Sequence, residues 1–296
     1  MIAYNIEILK KPATESERFD GWIFGLPPGI KSEQWPIDPN TGYPLMHGFT
    51  LKLPKGYRVY DGIVGISFFA IAIEHNDGGP KYVKGLEEAV LSDQLPENPS
   101  FKEFWDSVKN GHPRCKYVTD ILGCYYATLL LTEEEFNGDF CEPPKLLTRY
   151  FENDIPSPDW LKKGGASCFW KQTYSPGLSL PPEEYGLYRD LGGIPTEELS
   201  YSRAILLKPN FKDPNAGTQP TDDAGTGYID PYEDEPSWVN EISPNHLGGT
   251  TFPTQGIPDF LTPYYIEFEE VFGGYNFGSG NAQLDIKNRD FDWRCG

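Results

Sequence analysis

Apolar residues recur along this chain in short runs and alternations, the signature of strands more than of long helices. In FTLKLP (49–54), Phe49, Leu51 and Leu53 alternate with Thr50 and Lys52, and that period of two predicts a half-buried strand. GIVGISFFAIAIE (62–74) and GCYYATLLL (123–131) are nearly unbroken, which predicts strands buried on both faces. Further strands are predicted at 3–9, in RAILLKP (203–209), in YYIEFEE (264–270) with Tyr264, Ile266 and Phe268 on one face, and in AQLDI (282–286). Helical signals are short. LEEAVL (86–91) is one. SFKEFWDSVKNG (100–111) is another, with Ser100 and Glu103 at capping-box spacing and Gly111 as its stop. TEEEF repeats that spacing with Thr132 and Glu135, and PPEEYGLYRDLGG (181–193) opens on proline and stops at glycine. NFKDPNAGTQPTDDAGTGYIDPYEDEP (210–236) has almost no aliphatic residues, so a surface loop or insertion is expected over 210–238.

The pattern predicts one α+β domain over 1–296, mostly antiparallel sheets with a few short helices. The 31 Gly and 28 Pro are scattered without period, which fits many turns. PIDPNTGYP (36–44) is the densest of them. An order of aromatic-Pro, Gly-x-Pro, strand occurs twice: Trp35-Pro36, Gly42-Tyr43-Pro44 and 49–53, then Phe252-Pro253, Gly256-Ile257-Pro258 and 264–270. A real repeat would mean two similar β lobes in one domain.

WPIDPNTGYPLMHGFTLKLP (35–54) and HLGGTTFPTQGIP (246–258) resemble segments of the YwqG-like family, a bacterial group named only as a domain of unknown function. The resemblance covers about a fifth of the chain. Thr50 or Lys52 stands where the family has a glutamine, and FGGYNFGSGNAQLDI (272–286) replaces its late Trp-Gly-Asp turn. The resemblance implies an α+β fold with long sheets, no established catalysis or cofactor, and gene neighbourhoods that carry polymorphic toxins, hence an immunity role.

The charge, 25 basic against 44 acidic residues, argues against nucleic-acid and anionic-membrane partners, which need clustered Lys and Arg. Residues 221–296 hold fourteen Asp and Glu against Lys287, Arg289 and Arg294, so that quarter carries −11 of the −19. No leader with a basic start and apolar core is visible, and no apolar run nears the roughly 20 residues of a membrane span. With five scattered cysteines and no Cys-x-x-Cys pair, a cytoplasmic location with reduced thiols is expected.

Candidate chemistry is sparse. FGGYNFGSGNAQLDI lacks the full Gly-x-Gly-x-x-Gly pattern and the P-loop Lys, and Glu269, Glu270 and Asp285 would repel phosphate. It reads instead as a strand-to-strand turn, with Gly278 and Gly280 free to take positive φ, Asn276 and Asn281 capping, and Phe272, Tyr275 and Phe277 covering the core. His112 and Cys115 have a spacing open to zinc or to a Cys–His nucleophile, but no second pair is evident, and they read as a loop entering a strand. Catalytic residues, cofactor and metal are therefore expected to be absent. The carboxylates of Asp222, Asp223, Asp230, Glu233, Asp234 and Glu235 lie close together without EF-hand order, interleaved with Tyr228, Tyr232 and Trp238. Charge around aromatic anchors is what a protein interface needs. These nine residues are the expected contact surface for a cognate protein toxin, one with a basic active cleft. A hydrolase with an aromatic-lined cleft and a carbohydrate-binding β module are the alternatives.

Overall fold

The computed structural model describes residues 1–9, 11–76, 79–145, 155–162, 202–223, 225–233 and 236–296. Its strands are β1 (Ala3–Ile8), β2 (Gly21–Ile23), β3 (Met46–Lys52), β4 (Ile63–Ala70), β5 (Cys115–Thr119), β6 (Tyr125–Thr132), β7 (Arg203–Asn210), β8 (His246–Leu247), β9 (Tyr265–Glu269), β10 (Asn281–Asp285) and β11 (Phe291–Arg294). They form one sheet in the order β11-β10-β9-β8-β1-β7-β2-β3-β4-β6-β5. Every strand pairing described is antiparallel.

The sheet curls into a nearly closed barrel. Its edge strands β5 and β11 face each other without a backbone ladder, and side chains bridge the seam. Lys116 donates to Asp290 and to the Asn288 carbonyl at 2.8 Å each, Arg289 donates to the Arg114 carbonyl at 2.7 Å, and Trp293 Nε1 donates to Asp120 at 2.7 Å. Beneath the seam, Tyr126 and Phe291 hold their rings 4.4 Å apart. Bridging of this kind covers two strand edges that would otherwise present unpaired N–H and C=O groups.

Alternation along the strands sets the core. Phe49, Phe68, Phe268 and Phe291 point inward and meet the fully buried rings of Phe272, Tyr275 and Phe277 from the β9–β10 connection. That connection is a turn, as its composition predicts: Gly278 has φ +60°. Gly280 is required for a different reason, since a Cβ there would overlap the Arg294 carbonyl, and it is Ser279 that takes the second positive φ. Asn281 caps nothing in that turn. It ties down a neighbouring segment by accepting from Thr254 N at 3.1 Å and donating to the Phe252 carbonyl at 2.7 Å.

The helices are short: α1 (Ile73–Asn76), α2 (Leu86–Leu91), α3 (Lys102–Lys109), α4 (Glu133–Phe136) and α5 (Asp159–Lys162). The apolar run 62–74 does not stay a strand throughout. It leaves the sheet at Ala70, and Ile73 opens α1. α4 carries the capping box read from Thr132 and Glu135. α3 starts differently from expectation: Pro99 opens a 3-10 turn, and the Asn98 side chain, not Ser100, accepts the capping bond, from Ser100 N at 3.0 Å. α2 and α3 bury Leu86, Val90, Phe101 and Phe104 with Ile37 in a small core of their own. The helix expected over 181–193 lies outside the described residues. No helix among the described residues is long and apolar enough to cross a membrane.

Candidate functional site

The outer faces of β8, β9 and β10 organise the candidate site. Ile266 and Phe268 of β9 enter the core, so Tyr265, Glu267 and Glu269 face the other way, as do Asn281, Gln283 and Asp285 of β10. Residues 250–254 lie across this polar face. Glu267, only 1% exposed, accepts bonds from the Thr251 hydroxyl, from Phe252 N at 2.9 and 3.1 Å, and from Gln283 Nε2 at 3.1 Å. The chain reaches this position through Gly248 and Gly249, both at positive φ. A Cβ at Gly248 would strike the Tyr57 hydroxyl, and one at Gly249 the Asp213 carboxylate.

The loop after β7 is anchored from below. Asp213, buried, accepts from Asn215 N at 2.9 Å and from the Thr250 amide and hydroxyl at 2.8 Å each. Asn215 exchanges two 2.8 Å bonds with the backbone of Ile229. The base of the predicted surface loop is thus built into the fold, and only its outer part stands in solvent.

That outer part carries the anticipated residues. Asp222, Asp223, Asp230 and Glu233 are exposed. Asp222 accepts from Ile257 N at 3.1 Å, and Asp230 accepts from Tyr232 N at 2.8 Å, so two of the carboxylates also shape the loop. Tyr232 is 67% exposed and meets Phe252 edge-on at 6.2 Å. Tyr228 is half-buried, its hydroxyl accepts from Thr251 N at 2.8 Å, and burial pushes its phenol up. It supports the loop from within. Trp238 is half-buried in a 3-10 turn, Ser237–Glu241. Asp234 and Glu235 lie outside the described residues.

Beside this loop opens a cleft of about 380 Å³. Val239, Ile242, Pro244 and Phe252 give it apolar walls, Glu267 and Glu269 give it carboxylates, and Thr254 and Asn281 add polar groups. Among the described residues, no lysine or arginine lines it. Phe252, Glu267 and Gln283 had no signal in the sequence, because only strand pairing and the Gly248-Gly249 turn bring them to the loop.

No family model, curated protein or solved structure matches the chain.

The remaining chemistry-bearing residues serve the fold. Cys115 is half-buried, and desolvation pushes its thiol up to about 12, far from a nucleophilic thiolate. His112 accepts from Arg114 N at Nδ1, so Nε2 carries the proton and donates to Glu135 at 3.2 Å. Glu135 also binds the Arg114 guanidinium. His47 is buried between the Phe24 carbonyl and Thr50, and burial pulls its imidazole down to about 4. Among the described residues, no three of His, Cys, Asp and Glu converge as metal ligands.

Proposed function

We propose that this protein is a bacterial immunity protein that binds a cognate protein toxin and occludes its active cleft. One observation carries the reading: exposed Asp222, Asp223, Asp230 and Glu233 share with exposed Tyr232 a loop whose base is fixed by buried hydrogen bonds. A preformed acidic surface with an aromatic anchor loses little entropy on docking. It also steers a basic partner by its long-range field. A toxin that attacks nucleic acid or nucleotides presents such a basic cleft. The resemblance of 35–54 and 246–258 to the YwqG-like family supplies the toxin context. In this reading the protein acts in the cytoplasm, needs no cofactor, and binds neither nucleic acid nor membrane.

The two halves of the sheet are read as related lobes. That reading rests on the order aromatic-Pro, Gly-x-Pro, strand, which recurs at 35–53 and 252–270.

Co-expression with the product of the neighbouring reading frame tests the function. That product is expected to kill alone and to be harmless with this chain present. A harmless neighbour, or killing that persists, overturns the proposal.

A further inference from the structure

We infer that Asn110 is a modification site, deamidated in the folded protein by its own backbone and water, whereas the equivalent site at Asn137 is protected by the fold. The inference is independent of the toxin-binding reading.

Asparagine followed by glycine occurs twice, at 110–111 and at 137–138. Glycine has no side chain to shield its backbone nitrogen. That nitrogen, deprotonated by solvent hydroxide, attacks the asparagine Cγ. The N–Cγ bond forms, the Cγ–Nδ2 bond breaks, and Nδ2 leaves as ammonia. The ring that remains is a succinimide. Water then opens it, at Cγ to give aspartate or at the main-chain carbonyl carbon to give isoaspartate. The net change is asparagine plus water to acid plus ammonia, with no redox step.

The two sites share one backbone conformation. Asn110 closes α3 with φ −95° and ψ 10°, and Asn137 closes α4 with φ −94° and ψ 1°. Both asparagines are exposed. At such ψ the next nitrogen lies off the line to Cγ, so each reaction waits on a local opening. What differs is what must open. Asn137 Nδ2, the leaving group, donates to the Glu133 carbonyl at 2.7 Å and to its carboxylate at 3.1 Å. Gly138 N donates to the Glu135 carbonyl at 3.1 Å, and the Gly138 carbonyl accepts from Arg18, which is buried and also donates to the Phe136 carbonyl at 2.8 Å. Attack at 137–138 must break this set. At 110–111, Gly111 N makes one long bond, to the Val108 carbonyl at 3.3 Å. Among the described residues, the Asn110 side chain and the Gly111 carbonyl make no hydrogen bond. Two side-chain bonds retained at Asn137 and absent at Asn110 set a rate difference of about tenfold or more.

The product changes the joint between α3 and β5. Isoaspartate routes the main chain through Cγ, one carbon longer, two residues after Val108 and directly before His112, whose ring is held by Glu135 and the Arg114 amide. Either product puts a carboxylate at the C-terminal end of α3, where the helix dipole disfavours it.

The test keeps the full folded chain in mildly alkaline buffer at body temperature and samples it over weeks. Trypsin separates the sites, cutting after Lys109 and after Lys116. Mass spectrometry is expected to show amide-to-acid conversion in the peptide that begins at Asn110, about tenfold or more faster than in the peptide that holds Asn137. The converted peptide is expected to split into two species of one mass, aspartate and isoaspartate, as the succinimide requires. In urea the two sites are expected to convert at similar rates, and Asn110→Gln is expected to abolish the early gain in the folded chain. Equal rates at both sites in the folded chain, faster conversion at Asn137, no conversion at Asn110 over a period that converts the unfolded chain, or a single product at Asn110 overturns the inference.

Discussion

Tyr275→Phe is expected to stabilise the protein, although most substitutions in a core destabilise. Tyr275 is 1% exposed, and among the described residues its hydroxyl has no hydrogen-bond partner. The ring is well used: it packs on Phe68 at 5.6 Å, Phe268 at 5.4 Å and Phe277 at 5.1 Å. Gly48 and Gly273 make room for the hydroxyl, since a Cβ at either would overlap it. Burying an unsatisfied hydroxyl costs about 1–3 kcal/mol. Removing the oxygen leaves a void on the order of 10 Å³, which costs about 0.2 kcal/mol. Every ring contact remains in Phe. The net gain is therefore about 1–2 kcal/mol, or roughly 2–4 °C in Tm for a chain of this size. Calorimetry and urea melts on wild type and variant measure it directly. A lower Tm, or a loss above about 0.5 kcal/mol in urea, would show that the hydroxyl is satisfied in solution and that the reasoning is wrong.

Three further substitutions probe other parts of the fold. Burial pushes the Asp38 carboxyl up to about 6 from an ordinary 3.8, so the folded state holds that proton more tightly and ionisation costs stability as pH rises through that interval. Asp38→Asn should therefore gain on wild type between about pH 4 and pH 7, by on the order of 2–3 kcal/mol, in urea melts at stepped pH. His47 has the opposite sign: with its imidazole pulled down to about 4, its contribution is present above its ordinary 6.5 and lost as pH falls toward 4. The two offset each other in wild type, and the variant should show the acid loss more sharply. Trp293→Phe removes the seam bond to Asp120 while keeping a ring against Phe277, and should cost about 1–2 kcal/mol with faster proteolysis after Asp285; unchanged stability would mean the seam does not need that bridge. Gly280→Ala forces a methyl onto the Arg294 carbonyl and should cost about 1–3 kcal/mol or more in the same melts.

Long apolar strands were legible in the sequence, and short ones were not. β4 and β6 declare themselves through short apolar runs such as ISFF and LLL, rich in β-branched, aromatic and leucine residues, which suit a strand buried on both faces. β2 and β8 span three and two residues and exist because neighbours pair with them. No local period announces an element that short. β11 offers only Phe291 and Trp293 as alternating residues, and its place is set by the β10 ladder. The site divides in the same way. The acidic and aromatic loop was visible from composition. Its partner surface was not, because Phe252, Glu267 and Gln283 meet only once β9 and β10 pair and Gly248-Gly249 turns the chain over them. Composition also overstated the external charge: Glu267 and Asp285 are buried and spend their carboxylates on backbone and side-chain donors.

The most direct measurement is the association rate with the product of the neighbouring frame, the proposed toxin, followed by stopped flow over a range of salt concentrations. The quadruple variant Asp222→Asn, Asp223→Asn, Asp230→Asn and Glu233→Gln removes the steering charge and spares the cleft and the buried base of the loop. If the acidic loop steers and Tyr232 anchors, the variant associates about tenfold or more slowly at low salt, with a flatter salt dependence and little change in dissociation. Tyr232→Ala, in contrast, mainly speeds dissociation. An association rate and salt dependence equal to wild type in the quadruple variant would contradict the proposed role of this surface.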